Sequence, residues 1–290
     1  MPTGINRNTE GVVLPKEVST DIWAAAVDNS LFMTLATKRP LKGTGQTVQT
    51  ITGEPTAQWV AEGAPKPVST HTFGKRDMTP YKIAIIEPFS EEFLRDKKAL
   101  YDACVTRLPA ALGRCFDQTI MSTTAPGSGF DVLGGAQAVN IADTTSTVYK
   151  QLLAVDSLIT SNNGVMSDIA VGPAGRSILL GALDTTGRPL FTAGVSQSSI
   201  GSILGAEVGT YKSLSGAAAG VVGIAGDFSE AIYGTVDGIK MAVSTEATLK
   251  NGVDEINLFQ DNMVAVRVEI EVAFVVKDAG AFVRLTNTAA

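Results

Sequence analysis

The chain has 290 residues, 44% hydrophobic and 18% charged, and carries a formal net charge of −6. That length buries a core without metal or disulfide staples, and an acidic balance with no Lys/Arg cluster argues against a surface built to neutralise phosphates. No apolar run approaches the roughly 20 residues of a membrane-spanning helix, and residues 1–10 lack the apolar centre of a signal peptide, so the product is expected to stay in the cytoplasm where it is made.

Residues 1–13 are polar, hold Pro and Gly and show no sustained period, which reads as an extended arm. From Ser19 to Ala36 the spacing of Ile22, Trp23, Ala26, Val27 and Leu31 predicts a short amphipathic helix capped by Ser19 or Thr20. The stretch from about Gly43 to Pro88 has strand-like arms around Val48 to Thr52 and Met78 to Ile86. Between them, WVAEGAPKPVSTHTFGK sets Gly63, Pro65 and Pro67 too close together for regular structure. A loop of this length is uncommon inside a compact domain and is usually a binding element or disordered. The expectation is an extended hairpin that projects from the body, with an exposed Trp59 as its anchor.

Ser90 is placed to cap a helix whose first turn holds Glu91 and Glu92, where negative charge meets the helix dipole favourably. The apolar series Tyr101, Cys104, Val105, Leu108, Ala111, Leu112, Cys115, Phe116 and Ile120 then predicts a long helix from Ala99 to Ser122, about 35 Å if continuous. Pro109 is expected to kink it or to start a new segment. Cys104 and Cys115 are the chain's 2 cysteines. Along one helix they stand about 16 Å apart, too far to bridge. Their spacing is close to three turns, so both are expected on one face as buried reduced thiols.

TTAPGSGFDVLGG reads as a loop, and Ser146 to Thr160 as a second amphipathic helix through Val148, Leu152, Val155 and Ile159. Ile169 to Val171 is a short buried strand, Ala174 to Leu183 a third helix, and DTTGRPLF a turn broken by Gly187 and Pro189. Thr192 to Ala219 is rich in Ser, Gly and Ala and reads as loops with short strands. The clearest pattern comes last. Val264, Val266, Val268, Ile270, Val272, Phe274 and Val276 alternate with Arg267, Glu269 and Glu271, which predicts a long strand over Met263 to Val276 with one buried face. Ile239 to Val243 reads as its neighbour. Helices and strands are mixed without a regular βαβα order, so the class is α+β.

Catalytic partners are scarce. His71 is the 1 histidine, in the Pro/Thr-rich loop, so a Ser/His/Asp triad or a histidine metal cluster would depend on it alone. No GxxxxGK[ST], GxGxxG after a strand, HExxH or CxxC occurs, and no metal or cofactor is expected. In GDFSEAIYGTVDGIKMAV, Asp227 and Glu230 offer an acid/base pair without a pocket. The alternative reading has Asp227 bonding backbone groups at a turn and Glu230 facing water. Lys66, Lys75 and Lys82 on the hairpin are candidates for isopeptide bonds to a neighbour's Asn or Asp, against the reading of solvated lysines.

Four stretches carry a resemblance. They are WVAEGAPKPVSTHTFGKRDMTPYKIAIIEPFSEEFLRD, FDQTIMSTTAPGSGFDVLGG, ALDTTGRPLF, and GIAGDFSEAIYGTVDGIKMAVS followed by NMVAVRVEIEVAFVVKDAGAFVRL. In this order, from about Val13 to Leu285, they resemble the major capsid proteins of tailed bacteriophages, whose fold is shared with encapsulin shells. Ala206 and Glu207 after LeuGly, where the family often has an aromatic-Pro pair, and Pro109 in the presumed spine helix are departures.

The resemblance implies an N-terminal arm and short helix (1–42) and an extended loop (43–88). It implies a peripheral domain with a spine helix and long antiparallel strands (89–145 and 227–290), and an axial domain (146–226). It also implies a non-enzymatic subunit that forms hexamers and pentamers and then an icosahedral head around double-stranded DNA. A portal protein, a separate scaffolding protein and, optionally, a decoration protein are the expected partners. The scaffolding expectation rests on the short arm at Met1. The virion capsid is the expected location, assembled in the host bacterial cytoplasm. Trp59, Glu62, Lys66, Phe73, Lys75, Arg76, Arg188 and Phe191 are the expected inter-subunit contacts, with Gly226, Asp227 and Phe228 as the turn between domains. The alternatives are an encapsulin-like compartment with protein cargo and, from another class, a hydrolase using Asp227 and Glu230.

Overall fold

The computed structural model describes residues 30–53, 55–143, 147–183, 187–191, 201–216, 218–251 and 254–288. The predicted arm, the helix positions from Ser19 to Asn29 and the start of the Ser/Gly/Ala-rich stretch lie outside the described residues. In chain order come α1 (Leu31–Leu35), β1 (Thr37–Pro40), β2 (Gln46–Gly53), β3 (Thr72–Met78), β4 (Tyr81–Ser90), α2 (Glu91–Asp96) and α3 (Lys98–Met121). Then follow β5 (Gln137–Asn140), α4 (Val148–Ser161), β6 (Asp168–Val171), α5 (Pro173–Leu180), β7 (Gly201–Ile203), β8 (Ala206–Thr210) and β9 (Val221–Gly226). The last elements are β10 (Ala231–Thr235), β11 (Lys240–Ser244), β12 (Thr248–Asn251), β13 (Asp254–Asn257), β14 (Met263–Val276) and β15 (Phe282–Thr286).

β14 organises the first sheet. It pairs antiparallel with β4 over Met263–Val272, with β11 over Ala265–Glu269 and with β10 over Val272–Val276, while β1 adds parallel to β10. Because β4 and β11 pair with overlapping residues, they must take opposite edges of β14. Period two then sorts the side chains. Val266, Val268, Ile270, Val272, Phe274 and Val276 are buried in one core with Leu108, Leu112, Phe116 and Ile120 of α3. Arg267 is exposed, and Lys82 of β4 reaches Glu269 (3.7 Å) and Glu271 (3.3 Å) on the opposite face.

The expected one-sided burial holds from Val266 to Val272 only. Ala273 and Val275 are also buried, under Leu41, Val48, Met78 and Ile232. These covering residues come from segments far away in sequence, so β14's own alternation carries no trace of them.

The second sheet runs β5-β15-β9-β6-β8-β7. Leu152, Val155 and Ile159 of α4 and Leu179 of α5 cover one face, over Ile169, Val171, Val222, Ala225, Val283 and Leu285. From the other face Ala170, Ile224 and Phe282 join the core of α3 and β14. The two sheets therefore share one apolar cluster, and residues 137–140 and 282–286 belong to the second.

Two helix expectations change. α3 runs through Pro109, which is buried inside it. The missing N–H removes one intrahelical bond, to the carbonyl of Val105, without starting a new segment. Cys104 is half-buried against the main core and Cys115 exposed, so neither thiol is buried as expected. Their shared face is a flank of α3, about 100° from the stripe set by Leu108, Leu112, Phe116 and Ile120. β12 and β13 form a separate two-stranded hairpin, which lacks the alternation that would have announced it.

Candidate assembly surface

The projecting hairpin is built from a buried root and a bare tip. At the root, Leu41, Val48 and Met78 sit in the small core with Ile232, Ala273 and Val275. Leu41 N–H donates to Thr235 O (2.9 Å), Thr79 N–H to Gly129 O (2.9 Å), and Thr47 Oγ1–H to Asp77 Oδ1 (2.7 Å). Gly45, at φ +85°, turns the chain into β2, and a Cβ there would stand 2.6 Å from Met78 O. Only glycine meets both conditions. The return arm expected from Met78 to Ile86 is divided. β3 ends at Met78, and Thr79-Pro80 breaks the ladder because Pro80 has no N–H. Tyr81–Ser90 then enters the first sheet against β14.

From β2 and β3 the hairpin runs out in antiparallel register from Gln46↔Met78 to Gly53↔Thr72. Residues 55–71 carry no helix or strand. Their ties are a turn closed by Ala64 N–H to Ala61 O (3.1 Å) and a link across the loop from Thr56 N–H to Ser69 Oγ (2.9 Å). Trp59 is fully exposed (105%), and Val68 (93%) and Phe73 (73%) nearly so. Glu62, Lys66, Lys75 and Arg76 are exposed and have no ion pair among the described residues. Alternation puts Phe73 and Lys75 on one hairpin face and Arg76 on the other, with Val48 and Met78. His71 lies at the same place, exposed, its ring 6.3 Å from that of Phe73.

Burying one large aromatic removes 150–250 Å² from water, worth roughly 4–6 kcal/mol at about 25 cal/mol per Å² before ordering costs. Among the described residues nothing collects that term at Trp59. A rigid root that presents such a side chain to water is the physical form of a docking element.

The remaining expected contacts lie elsewhere. Arg188 is exposed beside the bridge Leu183↔Pro189, and Phe191 is half-buried against the core of the second sheet. Gly226 ends β9, where a Cβ would stand 2.5 Å from Ala281 O. Asp227 Oδ1 accepts from Ser229 N–H (3.0 Å) and Ser229 Oγ–H (2.6 Å), capping a single 3-10 turn. Phe228 is buried, with its ring 6.2 Å from Phe32 and 5.5 Å from Phe282. These three residues stand where the chain leaves the second sheet for the first.

Glu230 does not simply face water. It pairs with Lys277 (3.1 Å), because Lys277 N–H donates to Glu230 O (3.0 Å) and holds the two backbones together. The acid/base pair is thus divided between a cap and an ion pair. Among the described residues no group of three or more His, Cys, Asp or Glu is arranged to hold a metal, and no helix is long and apolar enough to cross a membrane.

Sequence reasoning missed Asp117. It sits wholly buried on α3 and accepts from Ser30 Oγ–H (2.7 Å), Leu31 N–H (2.6 Å) and Phe32 N–H (3.3 Å). Burial pushes its carboxyl from 3.8 up to about 6, against the opposing pull of Ser213, Ser30 and the two backbone donors. The signal was its spacing, three residues before Ile120 and four before Met121, which puts a carboxylate on the buried stripe.

With this geometry in place, relatives can be compared. Residues 10–287 match the model of the phage capsid family. Over 288 residues the chain is 36% identical to the "Probable major capsid protein gp17" of Mycobacterium phage D29, covering 94% of this chain and 90% of that protein. It is 33% identical over 298 residues to the protein of the same name from Mycobacterium phage L5, covering 96% and 90%. Among solved structures it is similar to one described as "Gordonia phage Cozz", with TM-score 0.74, 22% identity, and coverage of 90% of this chain and 87% of that one. A family match along nearly the whole length, joined to relatives at this identity and to the same α+β fold, places the chain in the phage capsid family.

Proposed function

We propose that the chain is the major capsid protein of a tailed phage, self-assembling through hexamers and pentamers into an icosahedral head that encloses double-stranded DNA. It is a structural protein of the virion shell and not an enzyme, in keeping with relatives that are named capsid proteins. The observation that carries the assembly reading is the hairpin, fixed at its root by buried Val48 and Met78 and carrying a fully exposed Trp59 at its tip. In this reading each hairpin lies over an adjacent subunit, burying Trp59, Val68 and Phe73 and pairing Glu62, Lys66, Lys75 and Arg76 with opposite charges. Many modest contacts repeated around closed symmetry make a stable shell.

In this proposal residues 89–145 and 227–290 form the peripheral domain and 146–226 the axial domain, except that residues 137–140 and 282–286 join the sheet of the axial domain, and Gly226, Asp227 and Phe228 are the turn between the two. Arg188 and Phe191 contribute axial contacts, Phe191 with the part of its ring that its own core leaves uncovered. A portal protein, a separate scaffolding protein and a decoration protein are the proposed partners, with assembly in the host cytoplasm. DNA is held without sequence readout, as the net charge of −6 favours weak contact. An encapsulin-like compartment is disfavoured by the phage capsid relatives.

Negative-stain electron microscopy of the purified chain, alone and coexpressed with its phage's scaffolding protein, is the test. Shells, tubes or rings are expected under at least one condition. Uniform monomers under both would overturn the assembly reading.

A further inference from the structure

Two apolar features of the second sheet are left open to water, at opposite ends of its strand order. At one end, Leu204 and Gly205 join β7 to β8, both at positive φ (+53° and +88°). A leucine in that region is strained. Ile203 and Ala206 on either side are buried, yet Leu204 is 36% exposed at the tip, so its own chain supplies little packing to offset the strain. At the other end, α4 lies over β5 and β15. Leu152, Val155 and Ile159 face the sheet, whereas Tyr149 (45%) and Leu153 (48%), one turn apart on another stripe, are exposed. Leu153 lines an open groove of about 530 Å³ with Asp156, Ser157 and Thr160.

Charge matches the two ends. Glu207 is the one charged residue of 201–210 and is exposed. Its register partner on β6 is Asp168, and like charges side by side on neighbouring strands are destabilising unless a cation joins them. Lys150 stands exposed on α4, three residues before Leu153, while Asp156 is half-buried nearly two turns along the helix from it. Neither Glu207 nor Lys150 has an ion pair among the described residues.

We infer that the tip of the β7–β8 hairpin docks on α4 of a second copy, with Leu204 seated against Tyr149 and Leu153 and with Glu207 paired to Lys150. The inference rests on the reading of the chain as a shell subunit and names a contact that closes its rings. Two different patches at opposite ends of one sheet cannot meet within a subunit. Between copies they meet head to tail, the heterologous arrangement that closes when the rotation per copy divides a full turn.

Particles or rings assembled from the full-length chain carrying Leu204→Cys and Leu153→Cys, oxidised with diamide, read the contact, because a disulfide needs Cβ atoms about 4 Å apart. A ladder of covalent oligomers up to the pentamer and hexamer is expected on a non-reducing gel. Wild type and each single variant, run beside it, show what Cys104 and Cys115 contribute. An equal ladder in any of these, or none in the assembled double variant, would overturn the contact. Should the double variant not assemble, charge exchange decides. Glu207→Lys and Lys150→Glu should each lower particle yield about tenfold, and combining them should restore it to within about twofold. Glu207→Lys also removes the repulsion from Asp168, so its loss of particles is not a loss of fold. No loss in either single variant, or no restoration in the combination, would sink the inference. If wild type forms particles while these variants match it, the shell reading stands and this contact falls; if wild type never leaves the monomer, both fall.

Discussion

Two groups of aromatic side chains divide the work in this molecule. Phe32, Phe116, Phe130 and Phe274 meet edge to face or tilted in the shared core, with ring centroids 5.1 to 6.3 Å apart. Trp59 and Phe73 on the hairpin are almost wholly in water. The same chemistry stabilises the fold in one place and is left unused by the fold in the other. The difference teaches that monomer stability and particle stability should be separable by mutation, with the hairpin root as the boundary between them.

The largest effect should come from the core. Phe274 is fully buried at the crossing of α1, α3 and β14, so Phe274→Ala should cost about 3–5 kcal/mol through lost transfer energy and the cavity left behind. Chemical denaturation of the subunit measures it, and a loss below about 1 kcal/mol would mean that the Phe cluster contributes little to the fold. Next in size is the pH term. The folded-state value of Asp117 is raised to about 6, so its contribution to stability is fully present below about 3.8 and is lost as pH rises through about 6, to the extent of about 3 kcal/mol. The slope of stability between pH 4 and 7 should therefore be less negative, or more positive, in Asp117→Asn than in wild type. Identical slopes would assign the burial of Asp117 no titration role.

On the other side of the boundary, Trp59→Ala should leave the denaturation midpoint of the monomer unchanged within about 0.5 kcal/mol. It should weaken assembled particles by about 2 kcal/mol or more per contact, as for a central interface anchor. Thermal disassembly followed by light scattering, beside monomer denaturation, gives both numbers. A destabilised monomer with normal particles would reverse the roles assigned to root and tip.

The same boundary explains which parts of the structure could be read in the sequence. β14 and α3 were legible because each buries one face along its length, so period two and the three-or-four spacing survive in the chain. The tip was legible for the opposite reason, since Gly63, Pro65 and Pro67 deny it any ladder. Illegible features depend on distant partners. Ala273 and Val275 are covered by Leu41, Val48, Met78 and Ile232, and the donors to Asp117 come from Ser30, Leu31 and Phe32. The division of β3 from β4 is signalled at Pro80 but masked by the apolar residues that continue beyond it.

The smallest effect asks on which side of the boundary an intermediate residue falls. β7 and β8 pair Ile203 with Ala206, which leaves a two-residue loop of Leu204 (φ +53°) and Gly205 (φ +88°). Positive φ at both positions is the type I′ hairpin turn, for which Asn-Gly is favoured and Leu is strained. Leu204 is also 36% exposed, so packing within the chain gives little return for that strain. Leu204→Asn should raise monomer stability by about 0.5–1 kcal/mol in denaturant titration. If particles made from the variant keep their stability, Leu204 is a strained turn residue that the fold tolerates. If the monomer gains while the particle loses, Leu204 joins Trp59 among the side chains proposed to meet another subunit. No gain in the monomer would mean that the turn carries no strain.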